Sequence, residues 1–366
     1  MRILIAPDKF KGALSAREVS EAIAAGLREV LTGAKIDIVP LADGGEGTAE
    51  VISQALGGKW MTCKAHDPLG REISAGYGWI ADRKLAVMEM SEAAGMRRLT
   101  RDELNPEKTN TFGVGEMILD AARHGAHEII LGLGGSATND GGSGMAEALG
   151  FIFFDGTRAT LDCFKRPSLQ LLQWIEEPPD FKLPKIIAAI DVKNPLLGEN
   201  GATRVFGPQK GATPTQLEKL EQALRRLADV VTRQFGFDYR NEPGAGAAGG
   251  LGFGLLSFCA AKIRPGFDVV AESVGLEERI KDADLVITGE GSLDAQTLEG
   301  KTPAGVARVA RKLGKRVFAF VGRASADEKV RELFDGVYTN ARTRMTDEEN
   351  AAQMLRENAR EFARKL

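Results

Sequence analysis

The sequence contains a series of strand–loop–helix units whose loops carry glycine and acidic residues. The chain opens with a short apolar strand at Ile3–Ala6, and Ser15 begins a helix that continues to Val30. Glu18 follows Ser15 at the spacing of a capping box. A second strand at Ile36–Val39 is followed by a second helix. Two consecutive strand–helix units indicate a parallel sheet covered by helices.

The last hundred residues return to the same pattern. Apolar strands are predicted at Asp284–Thr288 and Arg316–Val321, and a helix at Pro303–Leu313 lies between them. The simplest topology joins both ends of the chain in one doubly wound α/β domain. We expect this domain to contain residues 1–57 and 262–366.

The middle of the chain has a different rhythm. Short β-like runs at 60–65, 73–80 and 85–90 are separated by turn residues without a helix, which predicts antiparallel strands. A long amphipathic helix is predicted later, at Pro214–Phe235. We expect residues 58–261 to form a second, mixed α/β domain, with the active site in the cleft between the two domains.

Charge and cysteine content narrow the class of protein. The formal net charge of −3 does not favour nucleic acid as a partner, because such binding rests on clustered Lys and Arg. Cys63, Cys163 and Cys259 lie far apart without metal-ligand spacing, which favours a reducing compartment. The longest uncharged stretch, Pro243–Ala261, is rich in Gly and Ala and predicts a loop and buried helix. We therefore expect a cytoplasmic protein with no membrane partner and of unknown oligomeric state.

The longest glycine-rich loop, Gly132–Gly144, follows a buried strand. Glycines let a backbone approach a ligand closely, and loop amides can point at phosphate oxygens. Gly132, Gly134 and Ala137 also match a GxGxxA dinucleotide fingerprint, with Asp155 about 20 residues later as a ribose partner. That fingerprint requires a helix directly after the glycines, whereas polar residues follow here. A turn without a ligand remains the alternative to phosphate binding.

A second loop, at 295–302, fits a relaxed Walker pattern in which Ala295 replaces the first glycine. A P-loop leaves its strand directly, but the strand here is predicted to end at Thr288. Lys301 and Thr302 nevertheless stand at a helix N-terminus, where the helix dipole and free amides favour an anion. Ordinary N-capping by Thr302 is the alternative.

Three further loops follow predicted strand ends, where the ligands of doubly wound sheets bind. They carry five acidic residues and two lysines. The acids are Asp8, Asp43, Glu46, Glu290 and Asp294, and the lysines are Lys9 and Lys11. Phosphoryl transfer needs such a set, since carboxylates hold Mg²⁺, cations neutralise phosphate charge, and one acid orients the attacking hydroxyl.

Asp191 ends the buried strand Ile186–Ile190, and Lys193 follows two residues later. An acid at the end of an apolar strand is positioned to act as a base, and a neighbouring lysine favours its ionised form. An Asp that closes a turn through its own backbone is the alternative.

These loops, in this order, resemble the bacterial glycerate kinase family. The resemblance rests on IAPDKFKGALSA at 5–16, PLADGGEGT at 40–48, GLGGSATNDGGSG at 132–144, DVKNPLLGENGAT at 191–203, FGPQKGA at 206–212 and TGEGSLDAQTLEGKTPAGVA at 288–307. It implies ATP-dependent phosphorylation of D-glycerate to 2-phosphoglycerate with Mg²⁺. It also implies one flavodoxin-like domain and one that resembles a restriction-enzyme core.

Candidate roles follow for the residues of these loops. Binding of the ATP cofactor is assigned to Gly134, Gly135, Ser136, Thr138, Asn139, Gly289, Lys301 and Thr302. Mg²⁺ is assigned to Asp43, Glu46 and Glu290, and catalysis to Asp8, Lys11, Asp191 and Lys193. Asp191 would orient the substrate hydroxyl, and Lys11 or Lys193 would meet the substrate carboxylate.

Two other functions remain as alternatives. One is an NAD(P)-dependent oxidoreductase that uses the GxGxxA loop. The other is a regulatory protein that binds a nucleotide or sugar acid without turnover, although no basic helix-turn-helix is present to deliver such a signal.

Overall fold

The fold is described by a computed structural model that covers residues 1–162, 169–179, 182–294, 301–325, 327–339 and 348–366. Cys163 and residues 295–300 of the Walker-like loop lie outside the described residues. The chain divides into two compact units. The first contains Met1–Asp43, Glu50–Leu56 and Pro265–Leu366, and the second contains Gly44–Ala49 and Gly57–Arg264.

Strands and helices alternate along most of the chain. The strands are β1 (Arg2–Ile5), β2 (Lys35–Ile38), β3 (Lys59–His66), β4 (Glu72–Ile80), β5 (Leu85–Glu89), β6 (Glu128–Gly132), β7 (Ile152–Asp155), β8 (Thr160–Leu161), β9 (Leu172–Glu176), β10 (Lys185–Ile190), β11 (Lys262–Pro265), β12 (Leu285–Leu293), β13 (Arg316–Ala324) and β14 (Gly336–Thr339). The α-helices are α1 (Ala16–Arg28), α2 (Thr48–Ala55), α3 (Ser91–Ala94), α4 (Phe112–Arg123), α5 (Ser143–Ala148), α6 (Ala202–Phe206), α7 (Pro214–Phe235), α8 (Ala247–Cys259), α9 (Gly266–Ser273), α10 (Leu276–Asp282), α11 (Thr302–Lys312), α12 (Glu328–Arg331) and α13 (Glu348–Ala363).

The first unit is built on a five-stranded sheet in the order β14-β13-β12-β1-β2, and all its strand pairs are parallel. Numbered within the unit, this is the 2-1-3-4-5 order of flavodoxin-like sheets. Ile5, Ile287 and Phe320 are fully buried in its core. The predicted α/β fold class is confirmed. The strand order reverses between β1 and β12, which is where open α/β sheets bind ligands.

The start of α1 forms as its sequence predicts. The Ser15 Oγ accepts a hydrogen bond from the Glu18 amide at 3.2 Å, and the Glu18 carboxylate accepts one from the Ser15 amide at 2.8 Å. Both groups would otherwise leave an unpaired amide at the helix start. The capping box therefore fixes the direction in which the chain leaves the loop after β1.

The second unit contains a six-stranded sheet in the order β11-β10-β6-β5-β4-β3 and a small antiparallel sheet in the order β8-β7-β9. β3, β4 and β5 pair antiparallel, as predicted. β5 also pairs parallel with β6, because the helices α3 and α4 between them supply the crossover that a parallel pair requires.

Strand β12 corrects one prediction. The strand does not end at Thr288 but continues to Leu293. The polar residues Glu290 and Ser292 are typical of a loop in the sequence. In the structure, hydrogen bonds of the parallel ladder with β13 keep this segment extended. No helix among the described residues is long and apolar enough to cross a membrane.

Candidate functional site

The strand ends of the first unit enclose a cavity of about 380 Å³. It is lined by residues from the loops after β1 and β2, the ends of β12 and β13, and the start of α11, namely Asp8, Lys9, Phe10, Lys11, Ala13, Asp43, Glu290, Gly291, Ser292, Lys301 and Arg323. Because β1 and β12 are adjacent, the cavity lies at the reversal point of the sheet. It brings together three acids and four cations.

Asp8 is held by hydrogen bonds at both its carboxylate and its amide. Its Oδ2 accepts a hydrogen bond from the Thr302 hydroxyl at 2.6 Å, and its Oδ1 accepts one from the Lys9 amide at 2.7 Å. The Asp8 amide donates to the Gly289 carbonyl at 2.8 Å, which anchors the loop to β12. Burial raises the pKa of the Asp8 carboxyl to about 7, and the negative charge of Asp43 adds to this rise. The hydrogen bonds from Thr302 and Lys9 act in the opposite direction.

The start of α11 differs from one of its predicted alternatives. Lys301 is the N-cap residue and Thr302 the first helical residue, so the proposed N-capping by Thr302 is wrong. The Thr302 hydroxyl instead contacts Asp8, which lies 294 positions away in the sequence. The Lys301 ammonium lies 4.0 Å from the Glu290 carboxylate and 3.8 Å from the Asp294 carboxylate. Lys301 is thus shared between two acids.

The acids of the cavity fit a magnesium ion. Mg²⁺ uses one or two protein carboxylates and completes its shell with water and phosphate oxygens. Asp43 and Glu290 line the cavity beside Asp8, and the negative charge of Asp43 raises the Asp8 pKa by repulsion. A divalent cation would relieve that repulsion. Among the described residues, no group of three or more His, Cys, Asp or Glu residues could hold a metal ion by itself.

Glu46, the third predicted magnesium ligand, belongs to the second unit. Its carboxylate lies 3.6 Å from the Arg97 guanidinium. The neighbouring amides of Gly47 and Ala49 donate to the Glu89 carboxylate at 2.8 Å and 3.1 Å. Glu89, buried at the end of β5, was not predicted, because it stands at the end of an apolar strand without any motif around it. It fixes the Gly44–Ala49 segment.

The glycines after β6 bring two loops together within the second unit. A Cβ atom at Gly132 would lie 2.5 Å from the Gly44 carbonyl oxygen, and one at Gly134 would lie 2.6 Å from the Gly45 Cα. Close backbone approach therefore requires these glycines whatever the loop binds. Gly135 is exposed, so its backbone remains accessible to an anion.

Polar residues of the same loop are buried, and two of them make contacts that hold the loop in place. Ser136, Thr138 and Asn139 are buried. The Asn139 amide donates to the Thr203 hydroxyl at 3.0 Å, and the buried Lys210 ammonium donates to the Thr138 carbonyl at 2.7 Å. The cofactor contacts predicted for Ser136, Thr138 and Asn139 stay predictions.

The anchor of the loop is Asp140. Its carboxylate accepts hydrogen bonds from the Thr111 amide and hydroxyl, both at 2.8 Å, and from the Gly142 and Gly144 amides. This network ties the loop to the start of α4. Asp140 was not singled out from the sequence.

The dinucleotide fingerprint has no structural counterpart. The helix after β6 begins only at Ser143, well beyond Ala137. Asp155, the predicted ribose partner, accepts hydrogen bonds from the Thr157 amide and hydroxyl and from the Ala159 amide, so it closes its own turn. The oxidoreductase alternative loses its basis.

Asp191 and Lys193 follow β10 in the second unit, at the strand end where they were predicted. Both side chains are exposed. Asp8, Lys11, Asp43, Glu290, Lys301 and Thr302 belong to the first unit, and Glu46, Gly134–Asn139, Asp191 and Lys193 belong to the second.

Comparison with known proteins identifies relatives across nearly the whole chain. The model of the glycerate kinase family matches residues 3–366. A glycerate kinase of Halalkalibacterium halodurans is 44% identical over 322 residues, covering 87% of this chain and 85% of that protein. The glycerate 2-kinase of Escherichia coli K12 is 43% identical over 330 residues, covering 89% and 86%. A crystal structure from Salmonella typhimurium LT2, assigned to glycerate kinase 2, has a TM-score of 0.87 and 40% identity, and covers 100% of this chain and 98% of that one.

Proposed function

This chain belongs to the glycerate kinase family, and from that premise we propose that it transfers the γ-phosphoryl group of ATP to the 2-hydroxyl group of D-glycerate. The observation that carries the proposal is the cavity of the first unit, where Asp8, Asp43 and Glu290 face four cations. Phosphoryl transfer depends on positioning and charge stabilisation, which this set of side chains provides. Family membership also favours an enzyme over a regulator without turnover.

Magnesium is part of this proposal. Asp43 and Glu290 would hold the ion, which supplies positive charge against the β- and γ-phosphates when it is bound. Lys301 already balances Glu290, and it would remain beside the nucleotide phosphates. Glu46 stays a prediction as a third ligand. The buried, free thiols of Cys63 and Cys259 support a reducing, cytoplasmic compartment as a further part of the proposal.

Asp8 and Asp191 are the two proposed candidates for the group that orients the acceptor hydroxyl. Asp8 is supported by its anchored carboxylate and by a pKa of about 7, since a general base works best near the operating pH. Asp191 is supported by its place at the end of β10 and by its exposure to solvent. Lys11 and Lys193 stay predictions for contacts to the substrate.

The reaction is tested with purified protein, ATP, Mg²⁺ and D-glycerate. We expect ADP to form and the product to be consumed by enolase without addition of a mutase, because enolase acts on 2-phosphoglycerate. Absence of ADP would exclude the proposed reaction, and a product that needs the mutase would move the phosphoryl group to the 3-hydroxyl.

The base is tested with Asp8→Asn and Asp191→Asn, each of which removes one ionisable carboxyl with little change in shape. We expect the variant of the true base to lose about 10²- to 10⁴-fold in kcat, with little change in its affinity for ATP. Asp37→Asn is the matched control, since Asp37 pairs with Arg279 on the surface of the first unit. Equal activity of both variants and the control would remove both acids from this role.

A further inference from the structure

Arg323 lies at the carboxyl end of β13 and lines the same cavity as Asp8, Asp43 and Glu290. The parallel ladder places it in register with Ser292 of β12. The positions of both backbones are therefore set by a two-strand ladder and not by a loop. No sequence motif surrounds Arg323, and none of the predicted roles includes it.

The other cations of the cavity differ from Arg323 in their surroundings. Lys301 is shared between Glu290 and Asp294. The charge of Lys9 acts on Asp8, whose pKa it lowers. Among the described residues, no carboxylate lies within 4 Å of the Arg323 guanidinium. Arg323 is exposed and lines the cavity, so a ligand that enters the cavity can reach it.

A guanidinium in this position suits a carboxylate. Its planar set of N–H donors matches the two oxygens of a carboxylate, whereas an ammonium offers a point charge without that directional match. The hydroxyl of Ser292, also exposed in the cavity, adds a further donor beside it. Lys11 is the remaining cation without an acidic partner among the described residues, but it lies on a turn and not in a sheet.

We propose that Arg323, assisted by Ser292, binds the carboxylate of the acceptor substrate and makes the enzyme select hydroxy acids over neutral polyols. This inference rests on the proposed function, because it assigns a residue to the acceptor of that reaction. It places the carboxylate at the ends of β12 and β13. The acceptor hydroxyl would then lie on the side of the cavity that contains Asp8 and Asp43.

The test measures KM separately for D-glycerate and for ATP in Arg323→Gln and Arg323→Lys. Loss of charge-assisted hydrogen bonds should raise KM for D-glycerate on the order of 10- to 100-fold in Arg323→Gln, with KM for ATP within about twofold of wild type. Arg323→Lys should show a smaller rise, and Ser292→Ala the smallest. Arg316→Gln is the matched control, since Arg316 lies at the opposite end of β13 and stacks on Phe318.

A second measurement tests selectivity directly. Selectivity is the ratio of kcat/KM for D-glycerate to kcat/KM for its neutral amide. This ratio should be at least tenfold lower in Arg323→Gln than in wild type, because only the charged acceptor loses a contact. Thermal unfolding of every variant shows whether it is folded.

Three outcomes would overturn the assignment. The first is an unchanged KM for D-glycerate in Arg323→Gln, and the second is a rise confined to KM for ATP. The third is a larger rise in KM for D-glycerate in Lys11→Gln than in Arg323→Gln. If the wild-type protein forms no ADP with D-glycerate, the proposed function itself fails. That result is distinct from a wild-type kinase that tolerates the loss of Arg323.

Discussion

The Asp8 carboxyl is buried next to a second negative charge, and two hydrogen bonds offset only part of the cost of ionising it. Its pKa near 7 means that a small change in its contacts alters its charge at physiological pH. The bond from Thr302 can be removed by substitution, because the buried Thr302 side chain donates it, whereas Lys9 donates through its backbone amide. Thr302 thus holds the Asp8 carboxylate in place.

Removing this hydroxyl should shift the pH dependence of the reaction. In Thr302→Val the Asp8 carboxylate loses a donor that stabilises its charged form, so its pKa should rise. The acid limb of kcat/KM, which falls as Asp8 becomes protonated, should then move to higher pH, while Thr302→Ser should keep the wild-type profile. Steady-state rates between pH 5 and 9, roughly two units either side of the Asp8 pKa, measure this shift. Coincident profiles for Val, Ser and wild type would show that ionisation of Asp8 does not limit the reaction.

Lys210 is a second buried ionisable group whose charge should affect stability. Burial lowers its pKa to about 7, against the opposing effect of Asp140. Between pH 7 and about 10 the unfolded chain therefore binds a proton that the native protein has released, and stability due to Lys210 rises with pH. Urea unfolding at several pH values should show that the free energy of unfolding of wild type rises relative to that of Lys210→Met as the pH rises through this window. A constant difference between the two proteins would mean that Lys210 keeps its charge when folded.

At the scale of elements, α1 and α13 pack closely because of one glycine. A Cβ atom at Gly26 would lie 2.1 Å from the Arg356 carbonyl oxygen. Gly26→Ala should therefore push the helices apart and lower the free energy of unfolding by on the order of 1–3 kcal/mol, as overpacking does. Gly33→Ala is the control, since a Cβ there meets nothing within 4 Å. Urea unfolding compares the two, and equal stability would indicate that α13 does not pack tightly on α1.

Local signals in the sequence predicted most elements of this fold. The helix α7 was predicted over its whole length, Pro214–Phe235, because its proline, amphipathic period and following glycine agree. The strands β11 (Lys262–Pro265) and β14 (Gly336–Thr339) were not predicted, although the equally short β1 and β2 were. β11 contains two basic residues and a proline, and β14 begins with glycine, so neither segment shows a clear strand pattern. Their conformation comes from neighbouring strands and not from their own residues.

The candidate site was only partly predictable for a related reason. Asp8, Asp43 and Glu290 each follow a recognisable strand, so they could be predicted to meet at one sheet edge. The contact between Thr302 and Asp8 spans 294 positions and depends on the strand order, which no local pattern specifies. Arg323 follows an apolar run that was expected to end at Val321. Strand β13 continues to Ala324 because it pairs with β12, which the sequence of β13 alone does not show.

At the scale of the whole molecule, the first unit is assembled from distant segments. β1 lies between β2 and β12, so one of its two neighbours comes from residues 285–293. In a chain that ends at Arg264, the amides of Ile3–Ile5 should exchange rapidly with solvent, because two short strands are not stable alone. Hydrogen exchange followed by mass spectrometry should show protection of these amides only in the full chain. Protection in the shortened chain would mean that β1 and β2 fold independently.

The same arrangement has a consequence for how the protein is made. A ribosome releases β1 and β2 first, but the strand that completes their sheet leaves the exit tunnel only after some 280 residues have been added. At a translation rate of about 5–20 residues per second, the apolar edge of β1 stays unpaired for on the order of tens of seconds. During synthesis this N-terminal edge therefore stays unpaired until the whole of the second unit has been translated.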